Sequence, residues 1–325
     1  MEENKVLLDV QGLKMHFPVR GKGLSKNGGV LKAVDDVSFS IQRGRTFGLV
    51  GESGCGKTTV GRTILKLYQA TAGKVIYNGK DLTAMTDKEF FPMRRELQMI
   101  FQDPMTSLDP RQTVNEIVGG PLRLQKMVGS KKEQDERVLE LLHMVGLKDD
   151  HANRYPHEFS GGQRQRIGIA RALGLSPKLI VCDEPVSALD VSIQSQILNL
   201  LTRLRAEREL TLMFISHDLS VINYISDRVA VMYLGKVVEL AEKKELFAHP
   251  AHPYTRALLA AVPQVGRGKF DLERTILEGT IPSPVNLPEG CIFSSRCPMA
   301  TAECKAYQTS LSEIAPGHYA ACAKL

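Results

Sequence analysis

Thr46-Phe47-Gly48-Leu49-Val50-Gly51-Glu52-Ser53-Gly54-Cys55-Gly56-Lys57-Thr58 reads as a short apolar strand that runs straight into a glycine-rich turn. A helix follows to about Lys66. Gly51 to Thr58 fits the spacing G-x-x-x-x-G-K-S/T, in the strand–loop–helix setting that a phosphate site needs. Each residue type has a job there. The glycines let backbone N–H groups turn inward as an anion-binding nest. The helix N-terminus adds its dipole. Lys57 places a point charge near the outer phosphates, and Thr58 offers a hydroxyl to Mg²⁺. Gly51, Ser53, Gly54, Cys55, Gly56, Lys57, Thr58 and Thr59 are therefore the candidate ATP-binding residues. The Cys55 side chain is expected to be incidental, since it sits at a variable position of the loop.

Working outward, short apolar strands alternate with helical stretches. Strands are predicted at Val6 to Val10, Ala33 to Ile41, Leu97 to Phe101, Leu179 to Cys182, Leu212 to Ile215 and Val229 to Tyr233. Thr113 to Leu147 reads as mainly helical. Ser192 to Arg208 reads as an amphipathic helix through Ile193, Ile197, Leu198, Leu201 and Leu204. This alternation predicts an α/β fold with a largely parallel sheet. The strand at Leu179 ends in Asp183-Glu184. Paired with the phosphate loop, Asp183 is placed to hold Mg²⁺ together with Thr58. Glu184 is then the candidate general base that polarises the attacking water.

The composition bounds the class. At 325 residues, with 43% hydrophobic and 24% charged residues, the chain has enough material for one large or two modest domains. No run of 18 or more apolar residues marks a membrane span. Met1 to Asp9 lacks the order of a signal peptide, so a cytosolic chain is expected. The net charge of +6 reads as a solvated surface rather than a nucleic-acid face. Arg20, Lys22, Lys26 and Lys32 spread through a loop-like stretch. After about Pro263 the character changes. Pro282, Pro284 and Pro288 lead into Cys291-x5-Cys297-x6-Cys304-x17-Cys322. In a reducing cytosol four such thiolates favour metal over disulfides. They suit zinc or an iron–sulfur cluster, although the C-x₂₋₄-C pairs usual in structural zinc sites are missing.

Phe159-Ser160-Gly161-Gly162-Gln163, followed by Arg164-Gln165-Arg166, lies shortly before the acidic pair. With that motif in that order, the chain resembles the ABC ATPases over roughly residues 5 to 260. The resemblance implies that Gln102, in Phe101-Gln102, reaches toward Mg²⁺ and the γ-phosphate. It implies a D-loop at Ser187-Ala188-Leu189-Asp190 and a γ-phosphate-sensing histidine at His217. Phe17 is either the aromatic that stacks on adenine or a strand-end core residue. The implied architecture is a RecA-like core, residues 1–262, with an inserted helical subdomain at about 103–173, and a C-terminal extension at 263–325. The family works as a head-to-tail dimer. There Ser160, Gly161, Gly162 and Gln163 would complete the ATP site of the other subunit.

His252-Pro253-Tyr254-Thr255-Arg256-Ala257-Leu258-Leu259 resembles the tail segment of dipeptide and oligopeptide importer ATPases, of the second-subunit type. That branch implies a second, non-identical ABC ATPase subunit and two transmembrane permease subunits. It also implies an extracytoplasmic substrate-binding protein, no nucleic acid, and docking at the cytoplasmic face of the cell membrane. It implies a 4Fe–4S cluster at Cys291, Cys297, Cys304 and Cys322, with Zn²⁺ as the alternative. Relatives with similar ATPases import nickel, glutathione or other small solutes. A soluble ABC ATPase acting on nucleic acid or the ribosome is the rival class. Such proteins usually carry two cassettes or added arms, whereas one cassette is read here.

Overall fold

The computed structural model of the chain describes residues 6–19, 29–261, 280, 282–285 and 287–325. Arg20, Lys22, Lys26 and the start of the C-terminal extension at 263 lie outside the described residues. The chain divides into two compact units. The first comprises residues up to Ile41, Thr46–Thr83 and Ser216 onward. The second comprises Gln42–Arg45 and Ala84–Ile215.

In the first unit an antiparallel sheet has the order Val30–Gln42, Val6–Pro18, Ala72–Tyr77, Lys80–Asp81. Val37, Phe39 and Ile41 are buried and alternate with outward-facing Asp36, Ser38 and Ser40, the period-2 pattern of a half-buried strand. Phe39 stacks on Phe47 with ring centroids 4.5 Å apart. Phe47 lies on Thr46–Val50, which pairs in parallel with Arg228–Tyr233, from Phe47 against Arg228 to Val50 against Val231. Every residue of Thr46–Val50 is buried, which is why its run is continuously apolar apart from its first residue. Arg228–Tyr233 turns back into Lys236–Glu242 through Leu234 and Gly235, both at positive φ. That is the two-residue turn whose twist suits a hairpin. His318–Ala320 adds antiparallel to Lys236–Glu242, and Ser312–Ala315 adds to His318–Ala320.

Three of these elements differ from the sequence reading. The first strand continues past Val10 to Pro18, through an irregularity between Gln11 and Lys14. Ala72–Tyr77 begins with three exposed residues, so its apolar signal is short. Lys236–Glu242 opens on a lysine and carries a buried glutamate, which masks its strand character.

In the second unit, Leu179–Asp183 lies between two parallel neighbours, Leu97–Ile100 and Thr211–Ser216. All three are short, almost wholly buried and adjacent to helices, as the apolar runs predict. The stretch read as mainly helical resolves into Val114–Leu124 and Lys131–Met144. Both pack on a third helix, Gly161–Gly174. Thr113 and Glu116 form a capping box at the first of them. Val191–Arg208 buries Ile197, Leu198, Leu201 and Leu204, as its 3.6-residue period requires.

The tail is fastened to the first unit through Glu239, which is fully buried. Its two carboxylate oxygens accept from the N–H groups of Ala251 at 2.8 Å and His252 at 2.9 Å. His318 Nε2 lies 2.8 Å from the same carboxylate, and its Nδ1 is 3.7 Å from Glu245. Glu239 holds the His318 pKa above the ordinary 6.5 despite burial. Burial pushes the neighbouring His252 down to about 4. A histidine raised in the folded state stabilises it below its unfolded pKa, and that contribution fades as pH rises through the folded value. His252 acts in the opposite sense, but it is present in wild type and variant alike. Thermal unfolding of wild type and His318→Gln should therefore differ most below pH 6.5. The gap should narrow at alkaline pH. A gap independent of pH would show that His318 contributes as a neutral hydrogen-bonding group only.

Candidate nucleotide-binding site

The phosphate loop leaves the buried strand Thr46–Val50 and enters the helix Lys57–Ile64. Gly56 precedes that helix with φ 106, and a Cβ there would sit 2.0 Å from the carbonyl oxygen of Ala33. Only glycine meets both conditions. The Cys55 N–H donates to the Glu52 carbonyl at 3.3 Å, which closes the turn. Lys57 is only 4% exposed. Its Nζ donates to the carbonyls of Gly51 at 2.8 Å and Glu52 at 3.0 Å. An ammonium has three protons, and the third faces the weakly accepting Cys55 sulfur, which an incoming anion would readily displace. Cys55 Sγ lies 3.8 Å from Nζ. Burial raises the thiol's pKa, with Lys57 opposing, so Cys55 is a packed and slowly reacting thiol rather than a nucleophile. Ser53 and Gly54 are exposed, whereas Thr58 and Thr59 are half-buried on the first helical turn.

Two further candidate residues lie in the first unit. Phe17 is half-buried and meets Tyr68 edge-on at 5.5 Å. His217 is exposed and directly follows the buried strand Thr211–Ser216. Asp218 beside it caps the helix Leu219–Ile225.

In the second unit the central strand ends in Asp183, which is fully buried. A buried carboxylate needs hydrogen bonds or a cation to offset its lost hydration. Within this unit Asp183 and Gln102 both carry hard oxygen donors, the ligand type that suits Mg²⁺. Glu184 follows with φ 44. A non-glycine residue there costs about 1–3 kcal/mol and persists only where its surroundings hold it. Here the Glu184 N–H donates to the Ile215 carbonyl at 3.0 Å. The Ser187 hydroxyl donates to the Glu184 carbonyl at 3.1 Å. Gln102 Nε2 donates to Glu184 Oε2 at 3.1 Å. The structure thus brings Gln102 and Glu184 together, although they lie far apart in the chain.

Ser160 and Gln163 form a capping box at the start of Gly161–Gly174. The Ser160 N–H donates to Gln163 Oε1 at 3.0 Å. The S-x-x-Q spacing makes that local reason legible in the sequence. A Cβ on Gly162 would come within 2.5 Å of the Ile193 side chain, so the motif is pressed onto the helix Val191–Arg208. Asp190 is exposed and stands at the N-cap of that helix.

Cys291, Cys297, Cys304 and Cys322 are unbridged. Burial raises the Cys291 thiol, and the other three cysteines add to that rise. The Cys291 N–H donates to the Cys304 carbonyl at 2.8 Å. Among the described residues, no three His, Cys, Asp or Glu side chains converge as ligands of one ion would. The four cysteines offer sulfur donors only, the ligand type common to zinc and iron–sulfur sites.

Sequence reasoning missed Arg296. Its guanidinium clasps the carboxylate of Glu52, at 2.8 and 3.1 Å. Tyr254 was noted only within a resemblance, but its Oη accepts the Glu52 N–H at 3.0 Å. No spacing rule connects these residues.

A glycine nest around a buried lysine, carried on parallel strands, is the chemistry of a P-loop nucleotide-hydrolysing protein. Residues 34–187 match the family model described as ABC transporter. Residues 238–304 match that of the oligopeptide/dipeptide transporter, C-terminal region. The chain belongs to the ABC transporter family, as an ATP-binding subunit that hydrolyses ATP. It is 51% identical over 320 residues to the oligopeptide transport ATP-binding protein AppF of Bacillus subtilis (strain 168), covering 98% of this chain and 97% of that protein. It is 53% identical to the oligopeptide transport ATP-binding protein OppF of Salmonella typhimurium, covering 94% and 92%. Its fold is similar to the ATP-binding cassette MJ0796, solved as a dimer in a post-hydrolysis state bound to ADP and Pi. There the TM-score is 0.65 at 29% identity, over 73% of this chain and 99% of that one. The α/β fold expected from the strand pattern, and the ABC cassette that the resemblance implied, are thereby shown. No helix among the described residues is long and apolar enough to cross a membrane.

Lys57→Ala should weaken binding of Mg-nucleotide by about tenfold or more, the loss of one charge-assisted contact. Titration with a fluorescent ATP analogue checks it, and unchanged affinity would remove Lys57 from the site. Gly162→Ala should lower the melting temperature, because its methyl must displace Ile193, at a cost of about 1–3 kcal/mol.

Proposed function

We propose that this chain couples ATP binding and hydrolysis to the uptake of dipeptides or oligopeptides across the cytoplasmic membrane. The hydrogen bond from Gln102 to the Glu184 carboxylate carries the hydrolytic part. It aims a carboxylate, at the end of the strand that bears Asp183, for work as general base on a water. Peptide import rests on the likeness to the peptide-importer relatives along nearly the whole chain.

In this reading Gly51 to Thr59 cradle the phosphates, and Phe17 stacks on adenine. Thr58, Asp183 and Gln102 hold Mg²⁺, which neutralises charge on the β- and γ-phosphates when bound. His217 senses the γ-phosphate. Residues 1–262 form the cassette, with its helical subdomain at about 103–173, and 263–325 form the extension. Two cassettes pair head to tail, so that Ser160 to Gln163 and Asp190 serve the partner's nucleotide. The partners are a second, non-identical ATPase subunit, two permeases at whose cytoplasmic side the chain docks, and an extracytoplasmic binding protein. Cys291, Cys297, Cys304 and Cys322 hold a 4Fe–4S cluster that clips the tail together.

Glu184→Gln should retain nucleotide affinity, since the nest is untouched. It should lose turnover by about 10²-fold or more, the contribution of a general base. Normal turnover would reassign that role. Affinity capture of the tagged chain from detergent-solubilised membranes, read by mass spectrometry, should bring two multispanning permeases and a second cassette subunit. Capture of ribosomal proteins or nucleic acid without a permease would overturn the transport reading.

A further inference from the structure

The phosphate loop is held from outside by the C-terminal part of the chain. Glu52 is the first variable residue of the loop and is gripped at two points. Its backbone N–H donates to Tyr254 Oη at 3.0 Å, on the helix Pro253–Ala260. Its carboxylate accepts hydrogen bonds from both terminal guanidinium nitrogens of Arg296, at 2.8 and 3.1 Å. The Arg296 side chain is 7% exposed and that of Glu52 26%, so the arginine is buried while the carboxylate keeps partial contact with solvent. A bidentate arginine–carboxylate pair fixes orientation as well as distance.

Arg296 is itself held in place. Its guanidinium lies over the ring of Tyr233, 5.9 Å from the centroid. Tyr233 packs on Tyr254 at 4.7 Å and on Phe293 at 5.3 Å. Phe293 meets Tyr254 at 5.5 Å. The result is an aromatic platform shared by the hairpin at Leu234, the helix at Tyr254 and the segment that contains Cys291 and Cys297. Pro282, Ser283 and Pro284 also border the loop, across a cavity of about 240 Å³ lined by Glu52 to Cys55, Tyr233 and Leu234.

Glu52 also supplies one of the two carbonyls that receive the Lys57 ammonium. Moving residue 52 therefore moves the lysine that meets the phosphates. We propose that Arg296 is a positioning residue for nucleotide binding. Through Glu52, the cysteine-bearing tail sets the phosphate loop in its anion-accepting shape. The proposal rests on reading Gly51 to Thr59 as the nucleotide site.

The test is Mg-ADP affinity of the full chain by calorimetry, with Arg296→Ala, Glu52→Gln, the double variant, Arg296→Lys and Lys57→Ala. Arg296→Ala and Glu52→Gln should each raise Kd by about five- to tenfold, the size of a modest coupling between sites. The double variant should be no weaker than either single one, because both remove the same contact. Arg296→Lys should recover part of the loss, as a point charge without the fork. Additive losses, or a loss with Arg296→Ala but not with Glu52→Gln, would overturn the proposal and leave Arg296 a residue of tail folding alone. Wild-type affinity in both single variants, with Lys57→Ala weakened, would overturn it while sparing the nucleotide site. Wild-type affinity in Lys57→Ala as well would overturn the site assignment and the proposal with it.

Discussion

The buried ammonium of Lys57 is the constraint around which the phosphate loop is organised. At 4% exposure it has given up most of its water, and the carbonyl dipoles of Gly51 and Glu52 replace only part of that hydration. A cation kept in this condition attracts a multiply charged anion strongly, because little intervening water screens it. The turn that delivers those carbonyls is possible only because Gly56 can pass close under Ala33 with positive φ. The loop is thus shaped as much by its neighbours as by its own sequence.

A similar logic governs the carboxylates. Asp183 ends a strand buried on both faces, so its charge acts in a medium of low polarity. Glu184 breaks out of that strand through a left-handed backbone conformation. The contacts from Ile215, Ser187 and Gln102 keep it there. Such strain persists where the surroundings over-determine a residue, and it turns the Glu184 side chain away from the path its strand would have set.

The C-terminal tail illustrates how a segment with little apolar material of its own becomes ordered. It takes its partners from the cassette. His318–Ala320 extends the sheet beside Lys236–Glu242, and the buried Glu239 ties His318 to the segment before Tyr254. Phe293 contributes a large fully buried ring of the tail to the aromatic platform. Each of these links also brings the tail nearer to the phosphate loop, so that fastening the tail and fastening Glu52 are parts of one packing arrangement.

The local structure of the candidate site was legible in the sequence wherever its residues are contiguous. Gly51 to Thr58, Asp183-Glu184 and Ser160 to Gln163 each act through neighbours along the chain: a nest, a strand end and a capping box. The buried parallel strands were legible too, since burial on both faces demands unbroken apolar runs. The antiparallel strands Ala72–Tyr77 and Lys236–Glu242 were not, because exposed or charged residues interrupt their pattern. Nor were the joining of Gln102 to Glu184 and the clasp of Arg296 on Glu52. Such contacts close long loops between residues with no local relation. Which of many possible partners meet is decided by packing of the whole chain, and only the tertiary structure decides that.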